Sequence, residues 1–382
     1  IRGFLRIKYG IPEEMIPRIK ILMDHGIFLN TRTFARLFNM SKTPENVVRI
    51  YASLGVDYGL AFDIPSYLQI RELLKAILNR RNGRILIMAT ERRRAMKYLV
   101  NRLKDLLLKD ISVRSKQTII RHLIENARKG EADTISNIIR EISRLCVEET
   151  LDNLRRQLST PYVKCFKLIP VIQGLTIDDI EDCVKNTMEI LTEHAYIPPF
   201  IALGTGGSVL SKADALFLND ICQRVKRILL NNGLPAQIHL LGWSTPALSG
   251  FLLRQVTSLD TLTPRRRAVE GKIYVIHIDQ NGKKIIYSLL DLYRVRNYLH
   301  NIREVMRRLC DCPMCSNDSL LKQGLCASSR RISDVRIVHN VYTLRKIFKF
   351  VLEGFSILVD KHRMLEEKLF EMRVGAELKT KI

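Results

Sequence analysis

Three cysteines fall within six positions, Cys310-Asp-Cys312-Pro-Met-Cys315, and a histidine, His339, follows 24 residues after the last of them. Thiolates and a neutral imidazole are ligands for a borderline-soft ion. Four of them with no open position make a tetrahedral structural zinc site rather than a catalytic one. The run holds three of the chain's eight cysteines, and such clustering is the spacing logic of a metal site. The competing reading is three chance cysteines and an ordinary core histidine. Cys326 lies in the polar stretch before Arg336-Ile-Val-His339-Asn340, where an apolar helical pattern opens, and is an alternative ligand.

Carboxylates at the ends of apolar runs form a second set. Asp24 follows Ile19-Lys-Ile-Leu-Met23 and Asp63 follows Val56 to Phe62. In an α/β barrel the C-terminal ends of the strands are the active-site face; the competing reading is a turn or helix-capping aspartate. Gly204-Thr-Gly-Gly207 lacks the G-x-G-x-x-G spacing and the acidic partner of a dinucleotide loop. Glycines there let a flat ring approach the backbone closely. Arg265, Arg266 and Arg267, just after Asp260, are placed to grip phosphates; a solvated basic turn is the alternative.

The elements that must position these residues read as parallel βα units. Strand signals at Phe166–Ile172, Pro199–Leu203 and Gln237–Leu241 alternate with helices at about Ile177–Glu193, Ala213–Asn231 and from Pro246 to Ser258-Leu-Asp260, a repeat of roughly 35 residues. Thr43-Pro-Glu-Asn reads as a helix start with Thr43 as N-cap and proline in the first turn. Tyr67 to about Lys164 is helical, charged and without a motif. Its basic residues, Arg114, Lys116, Arg121, Arg128, Lys129, Arg140 and Arg144, read mostly as a solvated face that also reaches phosphates. Lys272 to Tyr287 is a hairpin turning at Asn281-Gly282. Helices are expected at Leu290–Leu309 and Val341–Leu369.

At 382 residues the chain is long enough for one large α/β barrel or two ordinary domains. It carries 62 Lys and Arg against 39 acidic residues, a formal charge of +23. Such a surplus favours a polyanion, bound through phosphate contacts and counterion release. No apolar run approaches the roughly 20 residues of a membrane span, and the first residues do not form a signal peptide. Cys146, Cys165, Cys183 and Cys222 are scattered through apolar contexts and read as reduced core residues of a cytoplasmic protein.

Several of these segments resemble, in order, the tRNA-guanine transglycosylase superfamily, which exchanges guanine for a 7-deazaguanine in a polynucleotide. Cys310, Cys312, Cys315 and His339-Asn340 look like its zinc site. Ile21-Leu-Met-Asp24-His-Gly26-Ile-Phe28 is similar to the segment carrying its acid/base aspartate and a base-stacking aromatic. Ala61-Phe-Asp63, Ile172-Gln173-Gly174, Gly206-Gly207 and Leu241-Gly242 resemble its base-reading elements. Asp260, with Pro264 and Arg266, matches its nucleophile segment, Arg265 standing for a threonine.

The resemblance implies a (β/α)8 TIM barrel with a helical insertion and a C-terminal zinc-binding subdomain. The chain then divides into a first barrel part at 1–66, a helical segment at 67–164, the rest of the barrel at 165–290 and the zinc subdomain at 291–382. It implies Asp260 as nucleophile and Asp24 as acid/base. Asp63, Gln173 and the Gly207 backbone would read the base, Phe28 and Leu241 would sandwich it, and structural Zn2+ and a homodimer through the zinc region would follow. His25 and Leu29 depart from the family's serine and glutamine. Ser208 to Lys212 offers no acid, which points to a neutral 7-cyano-7-deazaguanine. The Leu54–Pro65 stretch, the helical tract and the chain's stop at Ile382 are more like the DNA-guanine transglycosylases of 7-deazaguanine DNA modification than tRNA enzymes. A non-catalytic zinc-containing nucleic-acid-binding paralogue and hydrolytic base removal are the competing classes.

Overall fold

The structure is a computed structural model that describes residues 22–23, 40–87, 89–107, 116–204, 212–242, 254–259, 263–279, 281, 283–293, 302–304, 306–307, 310–325 and 333–359. The chain forms two compact units: Ile1–Ser208 with Asp220–Leu241, and Val209–Asn219 with Gly242–Ile382.

The first unit is α/β. Its described elements are β1 (Leu22–Met23), α1 (Pro44–Leu54), β2 (Tyr58–Leu60), α2 (Ser66–Leu78), α3 (Thr90–Leu107), α4 (Lys116–Arg128), α5 (Thr134–Leu158), β3 (Lys167–Ile169), β4 (Val171–Ile172), α6 (Ile177–Glu193) and β5 (Ile201–Leu203). The Asp220–Asn231 part of helix α7 (Lys212–Asn231) and β6 (Ile238–Leu240) complete it. The cap read from sequence is present: the Thr43 side chain accepts from the Asn46 N–H, with Pro44 at the first helical position, and Gly55 at φ 62° ends α1.

β1 pairs parallel with β2 and β2 with β3, while β4 pairs parallel with β5 and β5 with β6. A single residue, Pro170, separates β3 from β4. The one strand expected over Phe166–Ile172 is therefore broken at its proline, which has no N–H for a ladder. Its carbonyl still serves: Ala202 N–H donates to Pro170 O at 2.9 Å, and Ala61 N–H donates to Ile169 O at 2.9 Å on the other side. The parallel strands thus follow one another in chain order, as in singly wound α/β folds. Among the described residues no sheet closes into a barrel.

Close packing dictates two glycines. A Cβ on Gly59 would lie 2.3 Å from the Tyr51 ring and 2.8 Å from Phe166, and one on Gly174 would lie 2.6 Å from Asp179 Cβ. The first lets α1 press against β2; the second lets the turn after β4 sit on the start of α6.

Helix α5 is bound to the strand ends rather than standing apart as an insert. Leaving β2, the backbone turns into an apolar interior where its N–H groups have no ladder. Side chains answer in sequence: Phe62 N–H donates to Gln157 Oε1 at 2.8 Å, Ile64 N–H to Thr150 Oγ1 at 2.9 Å, and Ser66 N–H to Gln173 Oε1 at 2.8 Å. Ser143, Thr150 and Gln157 recur every seven residues, two helical turns, on one buried face of α5.

The second unit holds β7 (Ser258–Leu259), α8 (Thr263–Val269), β8 (Lys272–Asp279), β9 (Lys284–Asp291), α9 (Asp318–Leu325), α10 (Ser333–Leu352) and β10 (Ser356–Val359). The hairpin is as expected, with Asp279 opposite Lys284. The Arg265–Arg267 run lies on helix α8 rather than in a turn. Two expected helices are corrected. Leu290 and Asp291 belong to β9, because their register opposite Ile273 and Lys272 extends the hairpin. The helix expected to run to Leu369 stops at Leu352; Gly354 at φ 93° ends it, and Ser356–Val359 then pairs parallel with β9. A third correction falls at the end of the helix expected from Pro246 to Ser258-Leu-Asp260, where Ser258–Leu259 is the strand β7; the start of that helix and the expectation beyond 359 lie outside the described residues.

Replacing Thr150 by valine leaves the Ile64 N–H and the Gln173 amide without their shared acceptor. The expected loss is about 2 kcal/mol from the first unit, read as a lower urea midpoint; Ser159→Ala on the exposed end of α5 is expected to change it by less than about 0.5 kcal/mol. Equal midpoints for the two variants would remove Thr150 from this role.

Candidate functional site

Cys310, Cys312, Cys315 and His339 come together, their ligand atoms all within 4.8 Å of one another. The sulfurs of Cys310, Cys312 and Cys315 lie 3.6, 3.2 and 3.5 Å from His339 Nδ1. A tetrahedral ion with sulfurs at about 2.3 Å and nitrogen at about 2.0 Å sets these separations at roughly 3.5 Å. The four donors therefore already sit at the edges of a metal-sized tetrahedron.

The histidine's tautomer agrees. Its Nε2 is 2.7 Å from the Tyr274 carbonyl oxygen, so Nε2 carries the proton and Nδ1 turns its lone pair towards the sulfurs. The next residue grips the same strand: Asn340 Oδ1 accepts from Tyr274 N–H at 2.9 Å, and its amide donates to Lys272 O at 3.1 Å. Lys272 and Tyr274, two apart on β8, present these groups to the same edge. His339 and Asn340 thus take the place of a neighbouring strand there.

Cys312 and Cys315 are buried among Ile273, Val275, Leu290, Met306, Met314 and Leu321. Thiols this close in an apolar setting cannot all ionise alone. Hydrogen bonds from Cys310 and Cys315 pull the Cys312 thiol down to about 3, while the same kind of contact with Cys310 and Cys312 pushes Cys315 up. A divalent cation at the centre resolves this conflict by favouring all three thiolates. The residues present fit a structural metal. Cys326 lies outside the described residues.

A buried arginine ties the cluster's helices together. Arg336, 2% exposed, donates from Nε to Gly324 O at 2.9 Å near the end of α9 and from Nη1 to Ala268 O at 2.8 Å near the end of α8. Carbonyls at helix C-termini lack intrahelical donors, and a guanidinium there meets both the hydrogen-bond and the dipole requirement. Helix α8 carries the arginine run. Arg267 pairs with Glu270 at 3.0 Å and Arg266 approaches it at 3.8 Å, whereas Arg265 is exposed.

In the first unit the structure brings Asp63 and Gln173 into one neighbourhood. Asp63 is 6% exposed, at the exit of β2. Burial pushes up the Cys146 and Cys183 thiols, Cys183 to about 12, and the charges of Asp179 and Asp63 add to both shifts. Gln173, directly after β4, is committed at both ends: its oxygen to Ser66 N–H and its nitrogen to Thr150 Oγ1. Leu241 follows directly on β6 and donates from N–H to Leu203 O at 3.0 Å, and Gly242 follows at φ 71°. Asp24, Phe28, Gly206, Gly207 and Asp260 lie outside the described residues.

The polar groups of α5 were missed by reading the sequence, as was Asp179. Its carboxylate accepts from Ser143 Oγ at 2.7 Å and from the Leu175 N–H, and completes the capping box with Thr176 that starts α6. The heptad spacing of Ser143, Thr150 and Gln157 on an apolar face was the available signal. Of the four other cysteines, Cys146, Cys183 and Cys222 are buried and Cys165 is exposed, a correction to the core reading of Cys165 that follows from its place at the end of a surface turn before β3. Among the described residues no helix is long and apolar enough to cross a membrane.

Comparison with known proteins finds no family model that matches the chain and no curated protein similar enough in sequence to serve as a relative.

Metal analysis of the purified chain is expected to give one divalent ion per molecule. Cys312→Ser and His339→Ala are each expected to lower that content at least severalfold and to lower the melting temperature of the second unit, while Cys165→Ser changes neither. Protons compete for thiolates, so the metal-dependent part of the stability is present at neutral pH and is lost as the pH falls. Full metal content in Cys312→Ser would remove that cysteine from the ligand set.

Proposed function

We propose that the chain is a base-exchange transglycosylase of the tRNA-guanine transglycosylase type, replacing guanine in a polynucleotide by a 7-deazaguanine. DNA is favoured as the substrate and 7-cyano-7-deazaguanine as the base. The observation that carries this reading is the order of the parallel strands. β1, β2, β4, β5 and β6 follow one another in the chain, and the segments after them supply Asp24, Asp63, Gln173, Gly204 to Gly207 and Leu241-Gly242. Asp260 follows directly on Leu259, the last residue of β7. Candidate residues at successive strand ends are what a (β/α)8 enzyme uses, and a barrel of this kind is part of the proposal.

The chemistry follows from the side chains. The Asp260 carboxylate attacks C1′ of the target nucleotide as its C1′–N9 bond breaks, and Asp24 gives a proton to the departing guanine. The sugar is then held as an ester on Asp260. Asp24 takes the proton from the incoming base, whose nitrogen attacks C1′ and releases the carboxylate. Two displacements return the original configuration. Asp63 reads the heterocycle with the Gly207 backbone, and Gln173 acts chiefly by fixing Ser66 and the segment after Asp63. Phe28 and Leu241 stack on the ring once the nucleotide has left its helix.

The ion proposed for Cys310, Cys312, Cys315 and His339 is zinc, with a structural part only. Three thiolates and an imidazole leave no open position for substrate. Arg265 and Arg266 are the cations beside the nucleophile segment proposed to meet neighbouring phosphates, and a homodimer through the metal region remains part of the reading.

Radiolabelled guanine is expected to enter duplex DNA with the wild-type chain and not with Asp260→Ala, a loss of at least about a thousandfold. Incorporation into tRNA but not DNA would move the substrate assignment; equal incorporation by the variant would take the nucleophile role from Asp260; free guanine released without exchange would make the reaction hydrolytic.

A further inference from the structure

The first unit carries a concentration of positive charge on α2, α3 and the chain between them. Residues 67–107 hold eleven lysines and arginines against three acidic side chains, a surplus of eight out of the chain's +23 in about a tenth of its length. The structure sorts these cations. In the Arg92-Arg93-Arg94 run, Arg92 is structural: it pairs with Glu149 at 2.7 Å, with Glu148 at 3.6 Å and with Asp152, anchoring α3 to α5.

Anchoring one face fixes what the other presents. Met96, Leu103 and Leu107 are buried, and the solvent-facing half of the helix displays Arg93, Arg94, Lys97, Arg102 and Lys104, all exposed. None of the five is in an ion pair with a described residue. Tyr98, 64% exposed, stands among them. The basic side chains of α5 behave differently. Arg144 is held by Glu141 and Glu148, and Arg140 by Asn137 and the Ala127 carbonyl. The cations that the sequence marked on α5, Arg140 and Arg144, are thus occupied, and the five exposed ones on α3 are in no ion pair with a described residue.

The chain entering α3 adds to this surface. Arg80, Arg81 and Arg84 are exposed, and Arg81 and Arg84 line a groove of about 600 Å³ with Arg71 and Lys75 of α2. Glu72, the groove's acid, is bound to Lys75 at 3.0 Å and to Arg71 at 3.3 Å. Arg80 sits at φ 54° just past the end of α2, a position that favours glycine or asparagine.

We infer that the outward face of α3 and the arginines of the 80–84 turn form a docking track for the sugar–phosphate backbone of a polynucleotide. The inference rests on the proposed function for the identity of the polyanion and adds which surface of the chain grips its backbone. Several unpaired cations along a helix about 27 Å long match a row of phosphates, and an exposed tyrosine among them offers an unpaired base a stacking surface. Binding there is through charge and is independent of sequence.

The test is fluorescence anisotropy with a fluorescein-labelled, mixed-sequence DNA duplex about three helical turns long, measured across a salt series. Replacing Arg93, Arg94, Lys97, Arg102 and Lys104 together by glutamine is expected to weaken binding at least about tenfold at physiological salt. The slope of log Kd against log salt should fall by about three or more. A control with the same charge removed elsewhere in the unit, at the exposed Arg49, Lys164, Lys167, Lys185 and Arg227, is expected to lose less than about threefold. Melting curves matching wild type establish that both variants are folded. Equal losses in the two variants, or wild-type binding to anionic phospholipid vesicles but not to the duplex, would overturn the inference. Binding is read without turnover, so the two readings fail separately. Track-dependent binding without base exchange would refute the proposed activity alone, and exchange with unchanged binding in the α3 variant would refute the track alone.

Discussion

Every backbone group that leaves a ladder for an apolar interior needs a partner, and in both units buried side chains meet that need at the places where chemistry is expected. After β2, three amides in five residues are taken by Gln157, Thr150 and Gln173. On the edge of β8, Asn340 and His339 take the N–H and C=O groups of Lys272 and Tyr274. An unmade bond at any of these buried sites costs the desolvation of the group left behind, so the segments have little freedom to sit elsewhere. Asp63 and the metal-facing nitrogen of His339 inherit their positions from this constraint.

The metal cluster shows the constraint acting on chemistry. The Tyr274 carbonyl commits the His339 Nε2 proton, which leaves Nδ1 as a ligand and aims it at three sulfurs. The hairpin supplies the carbonyl, the loop before α9 the thiols, and α10 the imidazole, so an ion at the centre would join three elements far apart in the chain. Arg336, one helical turn before His339, extends the same tie to the ends of α8 and α9. The arginines of α8 are therefore carried by a helix whose position depends on the metal unit's core.

Much of this was legible and some was not, for identifiable reasons. The C-x-C-x-x-C run and the distant histidine were readable because ligand chemistry restricts residue type so strongly. The Thr43 cap, the hairpin and the parallel βα alternation were readable because each rests on local signals. The role of α5 was not. Its Ser143, Thr150 and Gln157 are ordinary helix residues until the β2 exit lies against them, and hydrogen bonds spanning about 90 residues leave no local trace. The break at Pro170 was visible as a proline but not as a division between sheets, since a carbonyl without its N–H can still serve one neighbour. The strand Ser356–Val359 looked like more helix, and only pairing with β9 drew it into the sheet.

The sequence by itself determined the candidate metal-ligand set, the alternation of strands and helices and the excess of positive charge, because these depend on residue type and on spacing along the chain. Tertiary structure alone decided which arginines are spent on carboxylates and which are in no ion pair with a described residue, which nitrogen of His339 faces the thiols, and which helix holds the strand ends. Those outcomes turn on partners that meet only when distant segments pack, and the choice between a paired and an unpaired polar group is made at that contact.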